Sequence, residues 1–213
     1  MKEELGTASK VLQWDFPKPI DSIAAKELAT QLNVSLPIAS MLYRRGVQDF
    51  ETAKKYFRPS LADLHDPFLM KDMDRAVSRL VEAIEKKQRI LIYGDYDVDG
   101  TTSVTLVYSF LAQFSDTILY YIPDRHKEGY GVSLLGMQWA KDHDVDLIIS
   151  LDCGIKSFKA IELCNSLGMD FIVCDHHKPD VDALPAAYAI LDPKRYDCLY
   201  PYKELSGCGV GFK

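Results

Sequence analysis

Apolar positions along the chain follow two regimes. Up to about residue 65 they recur at helical spacing: Ile23, Leu28 and Leu32; Met41 and Leu42; then Ala53, Tyr56 and Phe57 before Pro59. Asp21 or Ser22 offers an N-cap to the first group. Ser35, with Leu36-Pro37 behind it, opens the second, and Gly46 closes it. From Lys71 the pattern changes. Met73, Ala76, Val77, Leu80 and Ile84 share one helical face, with Lys86 and Lys87 at the end where cations suit the helix dipole. Unbroken apolar runs follow at 90–93, 118–122, 147–151 and 171–174, with a shorter one at 188–191. The first four start 28, 29 and 24 residues apart, with helical stretches between them. That spacing predicts βαβ units, and strands buried on both faces read as continuous apolar runs. The expected fold is α/β: a mostly parallel five-stranded sheet with helices on both faces over residues 68–213. A small helical extension over 1–67 precedes it, with a linker near 58–67. A Pro-rich stretch without a clear helix precedes the fifth strand and leaves its direction open.

The chain has 213 residues, 47% of them hydrophobic and 26% charged, in the range of a globular protein with a substantial core. No apolar run approaches a membrane span, and the start MKEELGTASK has no signal-peptide core. A cytoplasmic location without membrane contact is expected. The five cysteines match no zinc spacing and contain no C-x-x-C, so they read as small buried apolar residues. The net charge of −6 excludes a general polyanion-binding surface. Five of the acids, however, are Asp95, Asp97, Asp99, Asp152 and Asp175. If they hold divalent cations, the net charge says little against a phosphate-bearing substrate.

Ligands of open parallel sheets bind outside the carboxyl ends of the strands. The residues just after each run are therefore informative. They read Gly94-Asp95-Tyr96-Asp97-Val98-Asp99-Gly100, Pro123-Asp124-Arg125-His126, Asp152-Cys153-Gly154 and Asp175-His176-His177. Asp95-x-Asp97-x-Asp99-Gly100 imitates a calcium-binding loop, but its twelfth position is Leu106 and its flank is a strand. Asp99 could cap the following helix. Capping needs one acid, whereas three alternating acids repel one another until a cation offsets them. In an extended segment His176 and His177 would point opposite ways, one toward a metal and one toward substrate. Mixed carboxylate and imidazole donors suit Mn2+ better than Mg2+ or Ca2+. Carboxylates around one pocket can also bridge two cations about 3.5–4 Å apart, as in two-metal phosphoryl hydrolysis.

The first of these loops, taken with Asp175-His176-His177, resembles the DHH phosphoesterase superfamily, and within it the RecJ branch of single-stranded-DNA exonucleases. Leu64-His65-Asp66-Pro67, Met73-Asp74-Arg75-Ala76, Glu128-Gly129-Tyr130-Gly131, Asp152-Cys153-Gly154-Ile155 and Leu205-Ser206-Gly207-Cys208-Gly209-Val210 extend the resemblance over nearly the whole chain. It implies an enzyme with two Mn2+ ions, Mg2+ being the alternative, that removes 5′-mononucleotides from single-stranded DNA in the 5′→3′ direction, in recombination and repair. Asp97, Asp99, Asp152 and His176 would be metal ligands, Asp152 shared by both ions, and Asp95 a ligand or an outer acceptor. His177 would face the scissile phosphate, and Asp175 would orient a histidine. Arg125 would meet the nucleic-acid phosphate; its other reading is a surface ion pair with Glu128 or Asp124. Ser206-Gly207-Cys208-Gly209 reads either as a phosphate-binding helix start or as a plain tight turn. Helicase and single-strand-binding partners are implied by the resemblance alone. So is a longer chain with a further metal-binding Asp, from which weak metal affinity and little or no activity of these 213 residues alone would follow. The competing expectations are a phosphodiesterase for short oligonucleotides, cyclic dinucleotides or pyrophosphate, and a non-catalytic DNA-binding scaffold.

Overall fold

The computed structural model describes residues 19–180 and 183–213. It divides after Leu64 into two compact units. The first holds α1 (Ser22–Leu32), α2 (Leu36–Arg44), α3 (Phe50–Phe57) and a 3-10 turn at Leu61–Asp63. Asp21, not Ser22, caps α1: its carboxylate accepts from the Ile23 and Ala24 amides at 2.8 and 3.2 Å. Asp49 caps α3 through the Thr52 amide in the same way. Pro37 sits in the first turn of α2, where its missing N–H costs nothing. Leu28, Ala39, Leu42, Val47 and Ala53 form the core of this unit. Trp14, an aromatic with no assigned role, lies outside the described residues.

The second unit begins with a 3-10 turn at Pro67–Leu69, then α4 (Met73–Glu85). It continues β1 (Ile90–Gly94), α5 (Val98–Leu111), β2 (Ile118–Tyr121), α6 (Leu134–Asp142), β3 (Leu147–Leu151), α7 (Phe158–Ser166), β4 (Asp170–Cys174), β5 (Ala189–Leu191) and α8 (Gly207–Phe212). The strands form one sheet in the order β2-β1-β3-β4-β5, every pair parallel. The fifth strand is therefore parallel too, although no helix lies between β4 and β5 among the described residues.

Side chains alternate across the sheet, as the two-residue strand period requires. Ile90, Ile92, Leu147, Ile149 and Ile172 face α4, α5 and α8. Leu91, Tyr93, Ile148, Phe171 and Val173 face α6 and α7. Trp139 packs against this second layer, stacked on His143 with ring centroids 3.8 Å apart. Asp72, just before α4, links that helix to β5: its carboxylate takes the Ile190 amide and the buried Arg195 guanidinium. An apolar cavity of about 450 Å³ lies on the α4–α5 face, and no acid or histidine lines it. Four cysteines are buried, while Cys208 is half-buried. Among the described residues, no helix is long and apolar enough to cross a membrane.

Candidate metal centre

The connection leaving β1, through α5, and the one leaving β3, through α7, lie on opposite faces of the sheet and lead to opposite edges, so the strand order reverses between β1 and β3. In an open parallel sheet that reversal opens a crevice at the carboxyl ends. Register places the acids there. Gly94, Leu151, Cys174 and Leu191 are aligned across β1, β3, β4 and β5. The next residue in each strand is an aspartate: Asp95, Asp152, Asp175 and Asp192. All four are buried. They form one row across the sheet edge, with Asp95 and Asp152 flanking the crevice.

The helix after β1 sets the other two acids of its loop. Asp97 is the N-cap of α5, accepting from the Gly100 amide at 3.0 Å. Close packing of this turn needs Gly100, because a Cβ there would come within 2.7 Å of the Asp95 backbone. Asp99, in the first turn of α5, accepts from the Gly207 and Cys208 amides, each at 2.7 Å. The start of α8 therefore holds a carboxylate of the protein. Capping falls to Asp97 and Ser206, which leaves Asp99 bridging two helices.

Asp152 departs from β3 in the left-handed conformation, φ 61°. A non-glycine residue held there costs on the order of 1–3 kcal/mol. Its Oδ1 lies 3.1 Å from His176 Nε2, and the same nitrogen is 3.8 Å from Asp99 Oδ2. Asp175 Oδ1 accepts from the His176 amide, the His177 amide and His177 Nδ1, at 2.7, 3.1 and 2.7 Å. Its Oδ2 accepts from the Ile155 amide at 2.9 Å. This carboxylate curls the chain after β4, so the two imidazoles do not diverge as an extended segment would require. Their rings lie 4.6 Å apart. Ligand atoms of Asp152, His176 and His177 fall within 4.8 Å of one another.

The electrostatics of the edge call for positive charge. Burial, with the like charges of Asp99 and Asp97, pushes the Asp152 carboxyl up to about 7. Burial pushes Asp192 to about 7 as well. Asp175 differs: burial raises it, but the bonds from His177 and Ile155 outweigh burial and hold it below the usual carboxylate range. The same His177–Asp175 bond raises the histidine above its ordinary value. Asp152 Oδ1, Asp95 Oδ2 and Asp192 Oδ2 are buried without a hydrogen-bond partner among the described residues. Of these, the Asp152 oxygen lies beside the His176 imidazole nitrogen, and that pair fits a divalent cation, which would satisfy both the geometry and the charge.

Of the expected site residues, Asp152, His176 and His177 form the tight group, with Asp99 next to His176. Asp97 caps α5 and contributes its charge. Asp95 accepts from the Gly131 amide at 3.3 Å through Oδ1, while Oδ2 stays orphaned. Arg125 pairs with neither Glu128 nor Asp124; its guanidinium stacks on the Tyr96 ring. Two residues of the edge escaped sequence reasoning. Asp192 repeats the strand-then-Asp pattern, but on a strand of three residues followed by Pro193. Tyr130 places its hydroxyl 3.0 Å from His177 Nε2, and no sequence spacing signals that contact.

A Cβ on Gly207 would come 2.5 Å from Asp152 Cβ and 2.6 Å from its Cγ. Gly207→Ala is therefore expected to destabilise the protein by about 2 kcal/mol, the cost of overpacking a closed site. Urea unfolding measures it, and an unchanged midpoint would show that the contact yields freely.

Comparison with known proteins agrees with this geometry. The model of the DHH family, N-terminal domain, matches residues 89–213. The single-stranded-DNA-specific exonuclease RecJ of Bacillus subtilis (strain 168) is 41% identical over 206 residues, covering 97% of this chain and 26% of its own length. RecJ of Escherichia coli (strain K12) is 42% identical over 143 residues, covering 66% of this chain and 24% of its own. The chain thus spans about a quarter of these curated relatives. Among solved structures, RecJ in complex with Mn2+ from Thermus thermophilus superposes with a TM-score of 0.67 at 26% identity, over 89% of this chain and 26% of that one. A manganese-bound exonuclease RecJ gives 0.63 at 30% identity, over 70% of this chain and 37% of that one. A parallel sheet whose carboxyl edge gathers Asp152, Asp99 and the histidine pair, with a family model spanning β1 to α8, places the chain in the DHH family.

Proposed function

We propose that this chain supplies the metal centre of a Mn2+-dependent exonuclease that hydrolyses single-stranded DNA from the 5′ end to 5′-mononucleotides. One observation carries the proposal: a buried, orphaned Asp152 oxygen sits 3.1 Å from His176 Nε2, at the crevice where the sheet order reverses. The relatives' names and the Mn2+ in the two solved structures support it. Asp97, Asp99, Asp152 and His176 would hold two Mn2+ ions, with Mg2+ as the substitute. Asp95 would act as an outer acceptor or ligand. Bound there, the cations supply Lewis acidity toward the phosphate and a nucleophile at neutral pH.

The protein's own groups do the rest. His177 keeps Nδ1–H on Asp175, while its other nitrogen lies 3.0 Å from the Tyr130 hydroxyl. Protonated, the ring stabilises charge growing on the scissile phosphate. Asp175 fixes the ring and keeps it basic. Arg125, on the loop after β2, offers its guanidinium fork to a backbone phosphate.

The test is end-labelled single-stranded DNA with Mn2+, run beside matched duplex, dinucleotide and pyrophosphate. Because the chain spans about a quarter of its curated relatives, slow turnover is expected, and protein is kept in excess over DNA. Stepwise loss from the 5′ end of the single strand is the expected result. Cleavage confined to dinucleotide or pyrophosphate would replace the proposal with a small-substrate phosphodiesterase. Mn2+ binding without any cleavage would favour a scaffold.

A further inference from the structure

The loop between β2 and α6 lies against the carboxyl edge and carries one cation that, among the described residues, no carboxylate holds. Glu128 is the acid expected to pair with Arg125, but it is already in use. It accepts from the Tyr121 hydroxyl, the Asp124 amide and the Ser133 hydroxyl. Asp124 accepts from the His126 and Lys127 amides at 2.9 and 3.3 Å, with the Lys127 ammonium at 3.9 Å. Arg125 makes no hydrogen bond or ion pair among the described residues. Its guanidinium carbon instead lies 5.4 Å from the centroid of the Tyr96 ring.

Tyr96 stands between Asp95 and Asp97 and is half-buried. Its ring meets Tyr130 edge-on, centroids 6.4 Å apart, and the Tyr130 hydroxyl is 3.0 Å from His177 Nε2. Two rings and one hydrogen bond thus connect the guanidinium to the histidine pair. The kind of contact matters. A carboxylate partner would occupy the N–H groups of the guanidinium. An aromatic face attracts the cation through its quadrupole and leaves that fork free for an anion. An exposed arginine with no such anchor would have to order a long side chain at the moment of binding.

We infer that Tyr96 is a positioning residue: its ring holds the Arg125 guanidinium beside the metal centre with the N–H fork free for a phosphate of the incoming strand. The role rests on the exonuclease reading above and adds to it a determinant of strand affinity that is neither a metal ligand nor a basic residue.

Affinity for a short phosphorothioate oligothymidine, measured by fluorescence anisotropy with Mn2+ present, tests it. Tyr96→Leu is expected to weaken binding about three- to fivefold, the range of an exposed cation–π contact. Arg125→Ala is expected to weaken it by about tenfold or more, as loss of a charge-assisted hydrogen bond does. The double variant should be no weaker than Arg125→Ala, because Tyr96 acts through that arginine. Tyr96→Phe should restore wild-type binding. Arg125→Ala should also flatten the salt dependence by about 0.7 in slope, one phosphate contact on a single strand. Mn2+ affinity, read by calorimetry, should be unchanged in Tyr96→Leu.

Wild-type binding by Tyr96→Leu, or losses that multiply in the double variant, would overturn the role of Tyr96 and leave the exonuclease reading in place. Loss of Mn2+ binding in Tyr96→Leu would overturn it too, by making Tyr96 a structural part of the metal loop. If the wild-type protein bound no single strand, the exonuclease reading would fall and the role of Tyr96 with it.

Discussion

Asp152→Asn is expected to cost more than about 100-fold in Mn2+ affinity, beyond the loss caused by removing a residue that merely supports a ligand. The same change should abolish metal-dependent strand cleavage. Without metal and at pH 8, however, the variant should be more stable than wild type, by about 2–4 kcal/mol. Both effects follow from one environment. Asp152 is 2% exposed, lies beside Asp99 and Asp97, and leaves one oxygen without a donor. An ionised carboxylate there is unfavourable until a cation arrives. Asparagine removes the charge and suits the left-handed backbone at this position better than alanine does. Calorimetric Mn2+ titration and urea unfolding of the metal-free protein check the two halves. Wild-type Mn2+ affinity in the variant would remove Asp152 from the ligand set, and a less stable variant would show that the carboxylate is not held at a cost.

Raising the pH of the metal-free protein from 4.5 to 7.5 is expected to lower its stability by several kcal/mol. Asp152 and Asp192 have folded values near 7, against 3.8 ordinarily. Between those values the folded chain keeps protons that the unfolded chain has released, so each step up in pH favours unfolding. A three-unit shift corresponds to about 4 kcal/mol for each carboxyl. His177 acts in the same direction: its stabilisation is complete below its ordinary 6.5 and fades as pH rises through its higher folded value. Asp175 and Asp197 act oppositely, but below the carboxylate range: their folded values are depressed, so their contribution is intact above 3.8 and lost only in stronger acid. Mn2+ should cancel the part due to Asp152 and leave the part due to Asp192. Urea midpoints at the two pH values, with and without Mn2+, provide the measurement. A midpoint that rises with pH in the metal-free protein would contradict the assignment of both buried acids.

Much of this was legible from residue order because parallel strands buried on both faces are unbroken apolar runs. β3 appears at the expected place, and β1, β2 and β4 differ by one residue at an end. An aspartate directly after such a run marks the sheet edge, which is why Asp95, Asp152 and Asp175 could be named. What escaped depends on contacts distant in the chain. The direction of β5 is set by its ladder with β4, not by its three residues. The histidine pair converges because Asp175 bends the backbone beneath it, which a rule for extended chain cannot foresee. Arg125 turns to Tyr96 only because Tyr121 and Ser133 have taken Glu128. Asp99 receives its two amide donors from the far end of the chain.

The aligned row of four aspartates also bears on the order of assembly during synthesis. β1 is interior to the sheet, yet its partner β3 pairs Leu147 with Ile90, so one flank of β1 stays open while the intervening residues are made. At ribosomal speed that interval lasts roughly several seconds. The acids meet later still, since Asp192 follows β5, which is made after the other four strands of this sheet. Their mutual repulsion therefore develops only after the apolar layers beneath them can close, and it does not oppose the early collapse on which those layers depend.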